Sequence, residues 1–505
     1  MTKFILRRLG ISFLILLGGS LLLYVLTINS GDPIADLRES NDENRELLIQ
    51  RRTEYMGLDL PWYQRYWTWL VGVSKCVTLN CDLGLTRNGV SVNSLLVDAA
   101  GSTLRLVILA TLLAIVIGIA TGILTAIRQY SGFDYVVTFL AFLFFSLPVF
   151  WAAVLLKDYG AIRFNNWIAD PQISTSTMII IAVVLGLILQ GIMGGDLRRR
   201  LLTAGVTAVF TFGALFYFTF VGWFLDPALG VGIIALAAAG GAVIVVTLIS
   251  GLENRRVLYS ALTTVAFGAV AFFAIAPLMH EPSFPLLFLL AFGFIAAGAL
   301  IGKLWGGDSS GMAIATSVIT SLITFALIVT DYVLRAWPGY LKMQPRPIST
   351  IGSQTPNFEG EFWQTFIDRG TQLLLPTILL TLISVASYTR YTRSSMLEVL
   401  EQDYVRTARS KGLSERTVIT KHAFRNALIP ITTIVAFDFA SLIGGAVITE
   451  QVFGWRGMGQ LFVTGLDEVD PGPVMAFFLV TGTAAVVMNM LADIMYAYLD
   501  PRIRR

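Results

Sequence analysis

Residues 102–127 read STLRLVILATLLAIVIGIATGILTAI, with Arg105 as the only charge. Coiled as an α-helix the run measures roughly 39 Å, more than the ~30 Å hydrocarbon core of a bilayer. Comparable runs recur at about 9–29, 134–156, 175–194, 202–225, 229–250, 257–278, 284–302, 312–334, 371–389, 429–449 and 474–498, making twelve candidate spans. The first lacks an Ala-x-Ala cleavage site and reads as a retained span rather than a removed signal. Twelve buried helices in a water-soluble core would need more charge between them than this chain supplies. Of its 505 residues 55% are hydrophobic and 14% charged, with a mean hydropathy of +0.72; soluble domains carry about a quarter charged residues. The expected fold class is all-α, a polytopic membrane protein with about twelve transmembrane helices.

The same composition excludes other classes. A net charge of +3 gives no strong basic field for nucleic acid. Two cysteines cannot make a disulfide scaffold or a cysteine-based zinc site, and His280 and His422 leave little for metal binding. No nucleophile–base pair or ligand cluster stands at membrane depth, so neither a catalytic residue nor a metal is expected. A Gly-x4-Gly-Lys-Ser/Thr phosphate loop is absent, so the chain should not bind ATP in that manner.

Lysine and arginine placement orients the spans. With Lys3, Arg7 and Arg8 inside, the inside loops collect Arg128, Arg198–Arg200, Arg255, Arg256, Lys303, the cluster between 390 and 427, and Arg502, Arg504 and Arg505. The tight outside loops at Asp226–Pro227 and His280–Pro282 hold none. Both termini are therefore expected inside. Cys76 and Cys81 then share the first outside loop, where an oxidising compartment favours a local disulfide over two free thiols. That loop, 30–101, also carries the aromatic run Trp62-Tyr63-Gln64-Arg65-Tyr66-Trp67-Thr68-Trp69. Its rings suit either docking of a partner or the membrane interface.

The longest inside loop lies between the spans at 371–389 and 429–449. Residues 395–410 read as one helix, Gly412 as its cap, and Ser414 as the start of a second helix with Glu415 in the first turn. A basic helical hairpin under the membrane follows, fit for a protein partner or anionic lipid. Inside the spans, Asp438 either lines a pathway or holds two helices together. Asn489 and Asp493, one turn apart, suit helix–helix hydrogen bonding, and Pro148 predicts a kink in the third span.

The run Asp403-Tyr404-Val405-Arg406-Thr407-Ala408-Arg409-Ser410-Lys411-Gly412-Leu413, then His422-Ala423-Phe424-Arg425-Asn426-Ala427-Leu428-Ile429-Pro430, resembles the coupling loop of ABC importer permeases, the dipeptide/oligopeptide branch above all. The chain departs from a literal Glu-Ala-Ala: Arg406-Thr407-Ala408 stands there. Gly31-Asp32-Pro33, Gly57-Leu58-Asp59-Leu60-Pro61, Asp82-Leu83-Gly84, Ser146-Leu147-Pro148, Gly444-Gly445-Ala446-Val447, Glu450 through Gly459, and Leu499-Asp500-Pro501-Arg502-Ile503-Arg504 are similar to the same family.

The resemblance covers about 1–165 and 370–505. It implies a six-helix permease core in two halves, 1–172 and 341–505, around a six-span insert at 173–340. An even number of inserted spans preserves the orientation, and Ala237-Ala238-Ala239-Gly240-Gly241 in the insert suits close helix packing. The resemblance further implies a bacterial cytoplasmic (inner) membrane protein, a multi-pass transport subunit that pairs with a second permease as a heterodimer. Two ATPase subunits would carry ATP and Mg, this chain holding no cofactor, and an extracytoplasmic substrate-binding lipoprotein would deliver peptide. Arg406, Ala408, Lys411, Gly412, Leu413 and Glu415 would form the ATPase contact. Glu450, Phe453, Trp455, Gly457 and Gly459 would form an extracytoplasmic gate or docking face. The competing class is a secondary transporter driven by an ion gradient, which usually relies on intramembrane charge and broken helices, sometimes in inverted repeats.

Overall fold

A computed structural model describes residues 2–353 and 355–499; at residues 2–6, 8, 416, 440, 443–445 and 492–499 only the backbone course is described. The closing Asp500–Arg504, the Asp493 side chain and the surroundings of Gly444 and Gly445 lie outside the described residues. Among the described residues the regular structure is helical, with one isolated bridge between Leu85 and Ser91.

Nine stretches among the described residues are long and apolar enough to cross a membrane, or ten if one bent pair is a single span. The expected twelve is not reached by this measure. Phe284–Met343 is one stretch holding two helices, Phe284–Gly306 and Ser310–Met343. Helix Phe424–Gly445, which contains Pro430 and Asp438, is not among the nine. The third span is not kinked but broken. One helix ends at Ser146, the next starts at Val149, and the two directions differ by 103°. Pro148 crowds the helical region for the residue before it and brings no N–H, so Leu147 is extended (φ −72°, ψ 127°).

The chain divides into two compact units. The first comprises Met1–Ala161, Thr350–Ser353 and Gln372–Arg505; the second comprises Ile162–Ser349 and Gln354–Thr371. In the first, helix Val92–Ile127 buries Ala99, Thr103, Leu106, Val107, Ala110, Ala114, Gly118 and Gly122. These positions recur every three or four residues and so form one stripe. Leu106, Ala110, Gly118 and Gly122 of the stripe pack on helix Phe362–Leu400, where Thr121 and Thr389 hydroxyls meet at 2.8 Å, while Ala99 and Val107 pack with Ala446 and Met458. A Cβ on Gly118 would overlap Tyr388, and one on Gly122 would overlap Thr392. Small residues here set how closely the helices approach.

The second unit uses the same device. Ala238, Ala242, Val246, Val257, Ala261 and Ala313 are buried together, and a Cβ on Gly302 would strike the backbone of Ala313 and Ile314. Within the Ala237–Gly241 run, Ala238 is buried whereas Gly240 faces open space. Asp331, fully buried, accepts from the Leu229 and Gly230 amides at 2.8 and 2.9 Å and pairs with Arg335 at 2.8 Å. It thereby satisfies the start of helix Gly230–Ile249, where N–H groups lack intrahelical partners.

Candidate functional site

The hairpin loop departs from the sequence expectation at one point. Residues 395–410 are not one helix. Helix Phe362–Leu400 ends, Gln402 is extended (ψ 147°), and a new helix runs Asp403–Ser410. In a straight helix Leu400 and Val405 would sit about 140° apart and could not share a face. The break at Gln402 turns the second helix so that Val405 and Ala408 join Val399 and Leu400 around Val418. Lys411 leads into Gly412 at φ +72°, a conformation that L side chains rarely adopt. Ser414 caps the short helix Glu415–Thr417 by accepting from the Thr417 amide. Arg409 and Glu415 close the turn with two bonds, Nη2 to Oε1 at 2.7 Å and Nε to Oε2 at 3.2 Å. The Arg409 hydrogen bond, joined by its charge, holds the Glu415 carboxyl below its ordinary range.

This frame sorts the residues expected to contact a partner. Arg406, Lys411, Gly412, Leu413 and Glu415 are exposed, with Tyr404 beside them. Ala408 is not available: it is buried against Val418, and its part is to hold the hairpin shut.

The helix leading into the hairpin carries two further constellations. Arg393 forks onto Asp134, Nε to Oδ1 at 2.8 Å and Nη2 to Oδ2 at 3.0 Å. One turn earlier Arg390 lies over the Phe145 ring at 3.9 Å. Both fix helix Gly132–Ser146, whose first turn holds Asp134. Sequence reasoning passed over this clamp; its one local signal was Ser131-x-x-Asp134, an N-cap pattern. Higher on the same helix Ser384 and Tyr388 both donate to Asp438 Oδ2, at 2.8 and 2.6 Å. Asp438 is half-buried, while Tyr388 and Ser384 are buried. Of the two readings of Asp438, the helix-holding one has its partners in place.

Residues 450–459 require a correction. Glu450, Phe453, Trp455, Gly457 and Gly459 do not form a face for a docked partner; all are buried. Thr103 Oγ1 donates to Glu450 Oε1 at 2.6 Å, and the Gly459 and Gln460 amides donate to Oε2 at 2.6 and 3.1 Å. The Met458 amide donates back to Thr103 Oγ1 at 2.8 Å, and Trp455 Nε1 to the Ser102 carbonyl at 3.4 Å. A Cβ on Gly457 would overlap the Glu450 carboxyl and the Thr103 hydroxyl, and one on Gly459 would meet Val447. The glycines are there for close packing. In this segment Gln451 and Arg456 are exposed.

In the loop after the first span, Cys76 and Cys81 are joined, with Cα atoms 4.1 Å apart. Arg52 pairs with Asp36, Arg87 pairs with Glu468 at 3.0 Å, and the Arg87 amide donates to Asp470 at 2.7 Å. Charge therefore ties that loop to the segment before helix Pro471–Leu499.

Residues 265–505 match the family described as binding-protein-dependent transport system inner membrane component. The matched inner membrane component region begins within 173–340 and contains the hairpin, Asp438 and Glu450, but not Ser102 or Thr103. The chain is also 42% identical over 153 residues to the oligopeptide transport system permease protein OppB of Mycobacterium tuberculosis, 30% of this chain and 47% of the relative. It is 41% identical over 186 residues to AppB, an oligopeptide transport system permease protein of Bacillus subtilis, 36% of this chain and 58% of the relative. With the dipeptide transport system permease protein DppB of Escherichia coli (strain K12) it shares 42% over 139 residues, 28% and 41%. The chain thus spans about half the length of the curated relatives it matches.

Proposed function

We propose that this chain is the membrane-spanning permease subunit of an ATP-driven importer of di- or oligopeptides. The observation that carries the reading is the hairpin. Arg406, Lys411 and Leu413 project from a frame locked by Arg409–Glu415 and by Val405, Ala408 and Val418. That frame adjoins the end of helix Phe362–Leu400, which also bears the Asp134 clamp and the Asp438 contacts. A partner gripping the hairpin would move these groups together, as one rigid element. The partners in this reading are a second permease subunit, two ATPase subunits holding ATP and Mg, and an extracytoplasmic peptide-binding lipoprotein. The hairpin and both termini are cytoplasmic, in a bacterial inner membrane, and this chain performs no catalysis itself. Asp438 borders the pathway from its seat on Ser384 and Tyr388.

The test is reconstitution with the co-expressed partner permease and ATPases in nanodiscs. Leu413→Asp with Lys411→Glu should leave the chain inserted while ATPase subunits dissociate and peptide-stimulated hydrolysis is lost. Uptake by the chain alone in vesicles, driven by a proton or sodium gradient, would overturn the reading.

A further inference from the structure

Helix Trp62–Ser74 sits in the loop between the first two spans, yet it is anchored well inside the first. Tyr66 meets the Ser20 hydroxyl at 2.9 Å and donates to the Leu17 carbonyl at 3.4 Å, and its ring lies 5.4 Å from that of Tyr24. The apolar stretch of that span is Leu9–Ile28. Ser20 is therefore about 12 Å along the helix from the span's end. A tyrosine side chain covers about half of this, so the axis of Trp62–Ser74 lies on the order of 6 Å inside that end.

At this depth the helix has three sectors. Taken at roughly 100° per residue, Tyr66, Trp69 and Val73 fall together, and this is the side packed on Tyr24 and Met475 or close to the Leu83 cluster. Tyr63, Trp67, Leu70, Val71 and Ser74 occupy the next sector. Within it Tyr63 is 56% and Trp67 64% exposed, and Val71 is exposed too. Gln64, Arg65 and Thr68 occupy the third. Arg65 and Thr68 help line a cavity of about 250 Å³ shared with Glu54 and Asp82. The turn that follows, closed by Cys76–Cys81, presents Val77 and Leu79 at 89% and 93% exposure. A helix between water and protein needs two faces. A third, apolar and unpaired and at membrane depth, fits a lipid surface.

We propose that helix Trp62–Ser74 is an interfacial anchor. Tyr63, Trp67 and Val71 lie among the phospholipid headgroups and upper acyl chains of the leaflet on the loop's own side, and Gln64 and Thr68 face water. Burial of 5–10 Å is the usual depth for such a helix, and aromatic rings favour this zone. The anchor holds the outer third of the first span at a set height through Tyr66. The inference stands on these contacts and does not depend on the transport reading.

Site-directed nitroxide labels test it. Single-cysteine variants at Trp67, Val71 and Thr68 are labelled in the full chain, with Cys76–Cys81 left bonded, in nanodiscs of phosphatidylethanolamine and phosphatidylglycerol. The ratio of oxygen to nickel-chelate accessibility should be several-fold higher at 67 and 71 than at 68. Nickel reaching 67 and 71 as freely as 68 would overturn the proposal, placing the face in water. Neither probe reaching 67 and 71 would overturn it too, because a protein partner then covers them. Val71 carries the test should the Trp67 variant fail to fold.

Discussion

The hydroxyl of Thr103 and the carboxyl of Glu450, 347 residues apart in sequence, meet at 2.6 Å in the buried interior of the first unit. The same carboxyl receives the Gly459 and Gln460 amides. Glu450→Ala strands these donors without access to water. Each unsatisfied buried group costs ~1–3 kcal/mol, so a loss of about 3 kcal/mol or more is expected, seen as a lowered thermal midpoint in detergent. Glu450→Gln keeps an accepting oxygen and should recover part of it. Equal midpoints for Ala and wild type would show that the cluster carries no stability.

Arg409 and Glu415 give the hairpin a defined response to acid and salt. The folded Glu415 carboxyl titrates below its unfolded value. Its stabilisation is therefore present above the ordinary glutamate range near pH ~4.3 and lost as pH falls through the lower, folded value. Between pH 6 and 9 the pair should contribute a constant amount. Being exposed, it is worth only ~0.2–1 kcal/mol and weakens with salt. A double-mutant cycle of Arg409→Ala and Glu415→Ala, read as hairpin protection from proteolysis at low and high salt, checks this. A coupling energy that grows with salt would contradict it.

Which parts of this architecture were legible follows from the range of the forces involved. Spans announce themselves locally, because a stretch such as 102–127 must be apolar nearly throughout and carries a single charge, Arg105. Gly412 and Ser414 were readable for the same reason, since a positive φ and an N-cap are decided within a few residues. Glu450 was not. A glutamate beside glycines and tryptophan reads as surface, and its burial depends on Thr103 in a distant helix. The break at Gln402 escaped likewise. No residue between 395 and 410 forbids a helix; the burial of Val405 and Ala408 against Val418 imposes the turn. At Pro148 the local signal was present but its size was not, since proline fixes where a helix stops and packing fixes the new direction.

Cys76 and Cys81 close a small ring in the loop that holds helix Trp62–Ser74. Alkylation of the purified chain under denaturing conditions should add no mass before reduction and two adducts after it. Two adducts without reductant would exclude the bond.

Tyr388 and Ser384 both donate to Asp438 Oδ2. Tyr388→Phe removes the shorter bond and leaves a half-buried carboxylate with one donor, at a cost of about 1–3 kcal/mol. Asp438→Asn keeps an acceptor for both hydroxyls and should fold nearly as well as wild type. If Asp438 also borders the pathway, the Asn variant shifts the preference among peptides of different charge while its thermal midpoint holds. An unchanged preference in a well-folded Asn variant would confine Asp438 to holding helices.

Gly412 separates backbone strain from steric conflict. Its φ is +72°, yet a Cβ there would meet nothing within 4 Å. Substitution therefore costs only the left-handed conformation, about 1–2 kcal/mol for alanine and less for asparagine, whose side chain tolerates that region. The expected order of hairpin stability is Gly, then Asn, then Ala, with valine worst because a β-branched residue is a genuine outlier at positive φ. Peptide-stimulated ATP hydrolysis in the reconstituted complex should fall in that order while membrane insertion stays constant. Gly412→Asp adds a carboxylate beside the exposed Lys411 and Leu413, so it should lose more coupling than asparagine at similar hairpin stability. Equal coupling for Asn and Asp would mean that the surface around Gly412 touches no partner.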